Sequence, residues 1–200
     1  MANTTTRTAP AAPTTGAALD AAAELFIEHG YQGAAMSDIA RRAGMSVGTL
    51  YNRFPSKADL FLEVFHSYGR RQGERVRDAI AGARSAGVVD DVALFVAGTH
   101  AYLLGAFREA SLGRLFQTIG TADIDVSSIR SGQEIWVERN ARQLGLETGT
   151  PRADAIAAAI TGALGGWVRG VQLCESDDEA QAYIAEVVSI ERAMLRAVMG

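Results

Sequence analysis

Apolar residues recur three or four positions apart from residue 17 to residue 82, the spacing of one helical face, and glycines or a proline divide the stretch into four segments. Leu19, Ala22, Ala23, Phe26 and Ile27 share one face of a first helix that starts near Ala17, and "HGYQG" closes it at Gly30. A second helix, "SDIARRAG", stops at Gly44, where a left-handed turn favours a residue without Cβ. The third is predicted from Ser46 as N-cap to Phe54, with Pro55 ending it. A fourth opens at Ser56 and carries Leu60, Phe61, Val64, Phe65 and Tyr68 toward about Gly82.

After Gly87 the same periodicity predicts helices from about Asp91 to Phe107, Ser111 to Ile119, Ser127 to Leu144, Pro151 to Cys174 and Asp177 to Met199. Two starts are chemically marked. Thr150-Pro151 puts proline at the first helical position, and "SDDE" at 176 to 179 is a capping box with its acids at the positive helix end. No segment alternates apolar and polar residues between turn residues, so no strand is predicted. The expected fold is all-α with about nine helices. Residues 1–15, rich in Thr, Ala and Pro, read as a disordered arm. Residues 16–56 read as a three-helix domain, 57–82 as a linking helix and 83–200 as a larger helical domain.

Composition narrows the function. The formal net charge of −4 would argue against a nucleic-acid partner, since phosphate contacts need Lys or Arg. The distribution reverses that: residues 1–77 hold nine basic and seven acidic side chains, the rest ten and sixteen, so the surplus positive charge lies N-terminal. Cys174 is the single cysteine, which excludes an intramolecular disulfide, and it reads as a small buried hydrophobe rather than a redox sensor. No run of about 20 apolar residues could span a membrane, and no signal peptide is visible, so a cytoplasmic place is expected. His29, His66 and His100 have no Cys or carboxylate at ligand spacing, and neither a phosphate-binding glycine loop nor a nucleophile elbow occurs. Neither metal nor cofactor nor enzymatic activity is expected.

The second and third helices, joined through "AGMS", have the dimensions of a helix-turn-helix. Ile39, Ala40 and Ala43 can pack against Leu50 and Phe54, which leaves Val47, Gly48, Thr49, Tyr51 and Asn52 facing outward. That polar outer face suits the major groove of duplex DNA. Gly48 permits close approach, the Thr49 and Tyr51 hydroxyls suit phosphates, Asn52 suits a base edge or a phosphate, and Val47 suits a thymine methyl. Lys57, in the first turn of the fourth helix, could add a phosphate contact, while Arg70, Arg71, Arg75 and Arg77 read as a solvated face.

Residues 17–65, and "GxSxGTLYxxFxSKxxL" above all, resemble the DNA-binding domain of the tetracycline-repressor (TetR) family of bacterial transcription regulators. The resemblance implies a homodimer with a DNA-binding head, a linking fourth helix and a body that holds a small-molecule pocket and dimerises through its last two helices. It further implies a repressor released from a palindromic operator when a ligand binds. The family usually has Thr or Ser ahead of the second helix, but Ala34 and Ala35 stand there, with Ser37 the nearest hydroxyl. The first helix also lacks the usual basic start. Ser37, Arg41, Arg42, Ser46 and Lys57 thus join the recognition face as expected DNA contacts, with Arg53 a weaker candidate.

In the body, His100, Tyr102, Leu103, Phe107, Phe116, Trp136 and Trp167 are the expected lining of an effector pocket. Ile156, Ile160, Leu164, Trp167 and Val171 form one apolar stripe, and Tyr183, Ile184, Val187, Val188, Met194 and Leu195 another. They are the expected dimer interface, a four-helix bundle that Gly162, Gly165 and Gly166 would let close tightly. The competing reading is a helical ligand carrier or scaffold whose head binds DNA poorly.

Overall fold

The computed structural model describes residues 14–118, 136–147 and 149–199. Among them every regular element is a helix: α1 (Thr15–Gly33), α2 (Met36–Arg42), α3 (Val47–Arg53), α4 (Lys57–Ser85), α5 (Asp91–Arg108), α6 (Ala110–Thr118), α7 (residues 136–143), α8 (Pro151–Val171) and α9 (Asp177–Met199). The expected all-α fold is the observed one. The arm before residue 14, Ile119, and the N-terminal part of the helix expected from Ser127 lie outside the described residues.

The helix ends follow local chemistry. Thr14, Ser46, Asp90 and Thr150 each accept a backbone N–H three residues on, which fixes the starts of α1, α3, α5 and α8. Ser56 does the same for Asp59 at 3.1 Å. At α9 the Ser176 hydroxyl accepts from Glu179 N at 3.2 Å, and the Glu179 carboxylate reaches back to Glu175 N at 2.8 Å, one residue beyond the usual capping-box partner. The first helix breaks where expected, at Gly30 (φ +70°), and one further turn runs to Gly33.

The chain forms two compact units that divide between Val64 and Phe65, inside α4 and not at its start. Leu60, Phe61 and Val64 are the reason for the later boundary: all three are buried with the first three helices' apolar residues. In the N-terminal unit α1 packs on α2 and α2 on α3. Phe26, Tyr31 and Phe61 form an aromatic cluster with centroids 5.3 to 5.8 Å apart, while Ala18, Leu25, Ile39, Ala40 and Leu50 fill the rest of the core. The buried face of α1 turns toward Ala18 and Leu25, so Ile27, expected inside, is exposed.

The C-terminal unit is organised around α5, which packs on α8, α9 and α6. One buried cluster joins Val92, Phe95 and Val96 to Leu144, Ile160, Leu164 and Leu195; a second joins Leu103 and Ala106 to Val171, Ala180, Ile184 and Val187. This corrects the expected dimer interface. Ile160, Leu164, Ile184, Val187 and Leu195 are at most 9% exposed within a single chain, and Ile156, Trp167, Tyr183 and Val188 pack against the same clusters. The two stripes are the core of the unit because α5 already covers them. Of the residues expected at the interface, Met194 alone is exposed.

Two polar features interrupt this core. Arg71 and Arg75, expected on a solvated face, both hold Glu109: Arg71 donates from Nε and Nη2 at 2.9 and 2.6 Å, and Arg75 from Nη1 at 2.6 Å. Glu191 on α9 is fully buried, its Oε1 accepting from the Thr99 hydroxyl at 3.0 Å and its Oε2 without a partner among the described residues.

Candidate nucleic-acid interface

Gly44 sets the angle between α2 and α3. Its φ is +67°, and it closes a Schellman turn in which Met45 N–H donates to Ala40 O at 3.0 Å and Gly44 N–H to Arg41 O at 3.2 Å. A Cβ at Gly44 would meet nothing within 4 Å, so the demand is for the left-handed backbone, not for space.

α3 then starts from Ser46, whose Oγ accepts from Thr49 N at 3.0 Å and lies 2.8 Å from Thr49 Oγ1. Leu50 is fully buried and Phe54, the C-cap, nearly so; they fasten the inner side. Outward stand Val47, Gly48, Tyr51 and Asn52, all exposed, with Thr49 half-buried at the edge. Val47 and Tyr51 are 41% and 46% exposed. Neither the Tyr51 hydroxyl nor the Asn52 amide has a hydrogen-bond partner among the described residues.

Gly48 is the most telling position. Its φ is not positive, and a Cβ there would meet only Ser46 Oγ, at an ordinary 3.8 Å. Nothing among the described residues requires a glycine in this seven-residue helix, where alanine would be the better helix former. A closely approaching external surface would require one.

The expected cationic contacts divide. Arg41 is 79% exposed and pairs with Asp38 at 2.8 Å, a surface pair of small worth that can open toward a phosphate. Ser37 is exposed in the first turn of α2, and Ala35 supplies no side-chain cap there. Arg42 is committed elsewhere: it forks onto Glu28 of α1 at 2.7 and 3.0 Å, holding that carboxyl below its ordinary range. Lys57 is likewise occupied. Its Nζ donates to Gln32 O at 3.2 Å and Ala34 O at 3.3 Å and lies 4.7 Å above the Tyr31 ring. In the free chain Arg42 thus ties α2 to α1, and Lys57 pins the α1–α2 turn that Ala34 and Ala35 leave without a hydroxyl; either would exchange these contacts to reach a phosphate. Arg53 donates to Thr15 Oγ1 at 3.4 Å.

The expected effector residues do not converge on one site. Tyr102 and Trp136 meet, centroids 5.4 Å apart, and line a cavity of about 20 Å³ with Val76, Phe95, Gly98, Thr99, Asn140, Gln143 and Leu164, room for about one water. Burial pushes the Tyr102 hydroxyl's pKa up. Leu103 and Phe107 belong to the second core cluster, Trp167 touches both clusters, and Phe116 packs on Phe65 and Tyr68. His100 is exposed, which removes it from the pocket: it follows the buried Thr99 on α5 and so falls on the solvent side of that helix. Cys174 is half-buried, its Sγ 3.8 Å from Gly170 O. No helix among the described residues is long and apolar enough to cross a membrane.

Comparison with known proteins agrees with this geometry. The model of the family described as "Bacterial regulatory proteins, tetR family" matches residues 18–64, the span from α1 to the last buried residue of the N-terminal unit. The HTH-type transcriptional activator FasR of Mycolicibacterium smegmatis is 42% identical over 65 residues, 32% of this chain and 30% of that protein. The HTH-type transcriptional repressor KstR of Mycobacterium tuberculosis is 38% identical over 66 residues, again 32% and 30%. The chain thus matches about a third of the length of these relatives. A solved transcriptional regulator from Rhodococcus sp. Rha1 shares the fold further, with a TM-score of 0.69 over 91% of this chain and 96% of that one at 20% identity. The head of the chain, residues 18–64, thus matches the tetR family of bacterial regulatory proteins.

Proposed function

We propose that the protein is a sequence-specific DNA-binding transcription regulator, a cytoplasmic homodimer that occupies a palindromic operator as a repressor and leaves it when a small molecule binds the C-terminal unit. The observation that carries this reading is the outer face of α3, where Gly48, Tyr51 and Asn52 answer to nothing among the described residues. A helix-turn-helix of this kind lays its second helix in the major groove, and two copies reach successive grooves about 34 to 36 Å apart. An enzymatic role finds no support in relatives named as transcription regulators. The carrier alternative is not favoured, because the head matches its family from α1 through Val64.

A dimer must use a face other than the stripes buried by α5. Ile190, Met194 and Val198 stand four residues apart on α9, 50%, 41% and 38% exposed, with Ala185, Ala193 and Ala197 exposed beside them. On α8, Ala155, Ala158, Ala159 and Gly162 are exposed too. Small residues around a line of larger ones let helices of a second copy approach closely.

The test is a footprint on the DNA upstream of its own gene, repeated with two variants. Wild type is expected to protect two half-sites about one helical turn apart, with affinity falling steeply as salt rises. Tyr51→Ala should weaken binding to all sequences alike, by about tenfold, as loss of a phosphate contact does; Asn52→Ala should change the preferred base at one position of each half-site. Protection that is absent at low salt, or a preference unchanged by Asn52→Ala together with full affinity of Tyr51→Ala, would count against the reading.

A further inference from the structure

The C-terminal unit carries an open groove of about 740 Å³ between α4 and α7, lined by Arg77, Ile80, Ala81 and Arg84 on one side and Glu138, Arg139, Arg142 and Gln143 on the other. Among the described residues four arginines face one glutamate there. Glu138 is already bound to Arg142 at 2.8 Å. Among the described residues the one carboxylate paired with Arg77 is Glu74, at 3.9 Å too far for a hydrogen bond and well exposed. Arg139 and Arg84 form no ion pair among the described residues.

Arg77 and Arg139 also lie close to one another. A Cβ on the buried Gly73 would lie 3.3 Å from Arg77 Nη1 and 3.2 Å from Arg139 Nη1, so these nitrogens are no more than about 6.5 Å apart. The niche left by the missing Cβ is where the two guanidinium groups converge. Arg139 is fixed from the other side by the Trp136 ring, 5.1 Å from its guanidinium carbon. Burial, and next the Arg77 charge, lower the Arg139 pKa, the sign expected of a cation placed where its charge is not neutralised.

We propose that Arg77 and Arg139 form an oxyanion site that grips the phosphate or carboxylate group of a small organic molecule. Two forked donors on opposite walls can each take one oxygen of a single anion, whose charge would offset the repulsion between them. The rest of such a ligand meets apolar surface. Ile80 and Ala81 line the groove beside the two arginines, with the aliphatic stems of Arg84 and Gln143 next to them. The site therefore selects an amphipathic anion over a bare ion or a neutral hydrocarbon. As an effector site it rests on the reading of the protein as a ligand-released regulator; as an anion site it does not.

Titration of the full chain with inorganic phosphate, a monoalkyl phosphate and a medium-chain carboxylate, read by tryptophan fluorescence and melting temperature, tests both. At least one organic probe is expected to saturate, to raise the melting temperature and to bind about tenfold or more weaker to Arg77→Gln and to Arg139→Gln, while Arg192→Gln on α9 binds as wild type does. The alkyl phosphate and the carboxylate decide which head group is preferred. No saturable binding, equal affinity for the Arg77→Gln/Arg139→Gln double variant, or inorganic phosphate binding as tightly as both organic probes would overturn the site. Operator retention in the same samples separates the two readings. Saturable binding that leaves DNA affinity unchanged overturns the effector assignment alone, and a chain that never binds DNA fails as a regulator while the titration still decides the anion site.

Discussion

Leu50→Ala should abolish DNA binding by unfolding the head, and Tyr51→Ala, one residue on, should weaken it with the head intact. Leu50 is fully buried in the N-terminal unit, at the inner side of a helix only seven residues long. Cutting it to alanine removes its share of the core and leaves a cavity, at about 2 to 5 kcal/mol. A unit of this size is held together by roughly 5 kcal/mol, and α3 has too few turns to persist without its anchor. Circular dichroism should show helix loss below the wild-type melting temperature, and no DNA should be retained at any salt. Tyr51 is 46% exposed and unpartnered, so its truncation should leave the melting curve within about 0.5 kcal/mol of wild type. Equal loss of stability in both variants would mean that the two sides of α3 are not an inside and an outside.

The second large effect is set by pH. Glu191 is fully buried beside Thr99, and desolvation, opposed by the Thr99 hydrogen bond, pushes its pKa from 4.5 up to about 7. Between those two values the folded chain holds a proton that the unfolded chain has released. The contribution of Glu191 to stability is therefore most favourable below about pH 4.5, declines as pH rises through this window, and is flat above about pH 7. The fall amounts to roughly 3 kcal/mol. Glu191→Gln keeps the shape and the oxygen that Thr99 donates to, but cannot ionise. It leaves an amide N–H unpartnered where Oε2 stands, which costs about 1 kcal/mol or more. The variant should thus be no more stable than wild type at pH 5 and more stable by about 2 kcal/mol at pH 8, as read from urea midpoints. A wild-type-minus-variant difference that does not change between these pH values would show that the carboxyl is already solvated.

Glu191 also shows how far the sequence is legible. The apolar stripe of α9 runs through Ile184, Val187, Val188, Met194 and Leu195, and Glu191 falls on it at helical spacing, four before Leu195 and four after Val187. A charged residue on a buried stripe is a visible signal, yet the sequence does not say what meets it. Thr99 lies 92 positions away and is brought there by the packing of α5 on α9.

The same limit explains the interface. Periodicity identifies which face of α8 and α9 is apolar, and it does so correctly, but apolar character alone does not distinguish a face covered by α5 from one covered by a second chain. The line of Ile190, Met194 and Val198 is weaker in hydropathy and more informative, because it stays uncovered after the unit has folded.

Local chemistry was easier to read. Caps at Ser46, Thr150 and Ser176, the glycine turn at Gly44 and the inside-outside division of α3 all depend on residues three or four positions apart, and all appear as the sequence indicates. Basic residues were harder, since each guanidinium or ammonium group suits a phosphate, a carboxylate or a carbonyl equally well. Arg42 and Lys57 found their partners in Glu28 and in the carbonyls of Gln32 and Ala34, which come near only when α2 and α4 pack beside the end of α1. The pairing of Arg77 with Arg139 across a niche at Gly73 gives no sequence signal, because the residues lie on separate helices and the repulsion between them has no pattern.

The central claim is that an outside surface approaches the backbone of α3 at Gly48, and Gly48→Ala tests it most directly because fold and function should move in opposite directions. Alanine meets only Ser46 Oγ at 3.8 Å and favours the helix by up to about 1 kcal/mol. The account predicts a variant that melts no lower than wild type and binds its operator about tenfold or more weakly, measured by titration of the upstream duplex at two salt concentrations. A variant that keeps its stability and binds that duplex with wild-type affinity would contradict it.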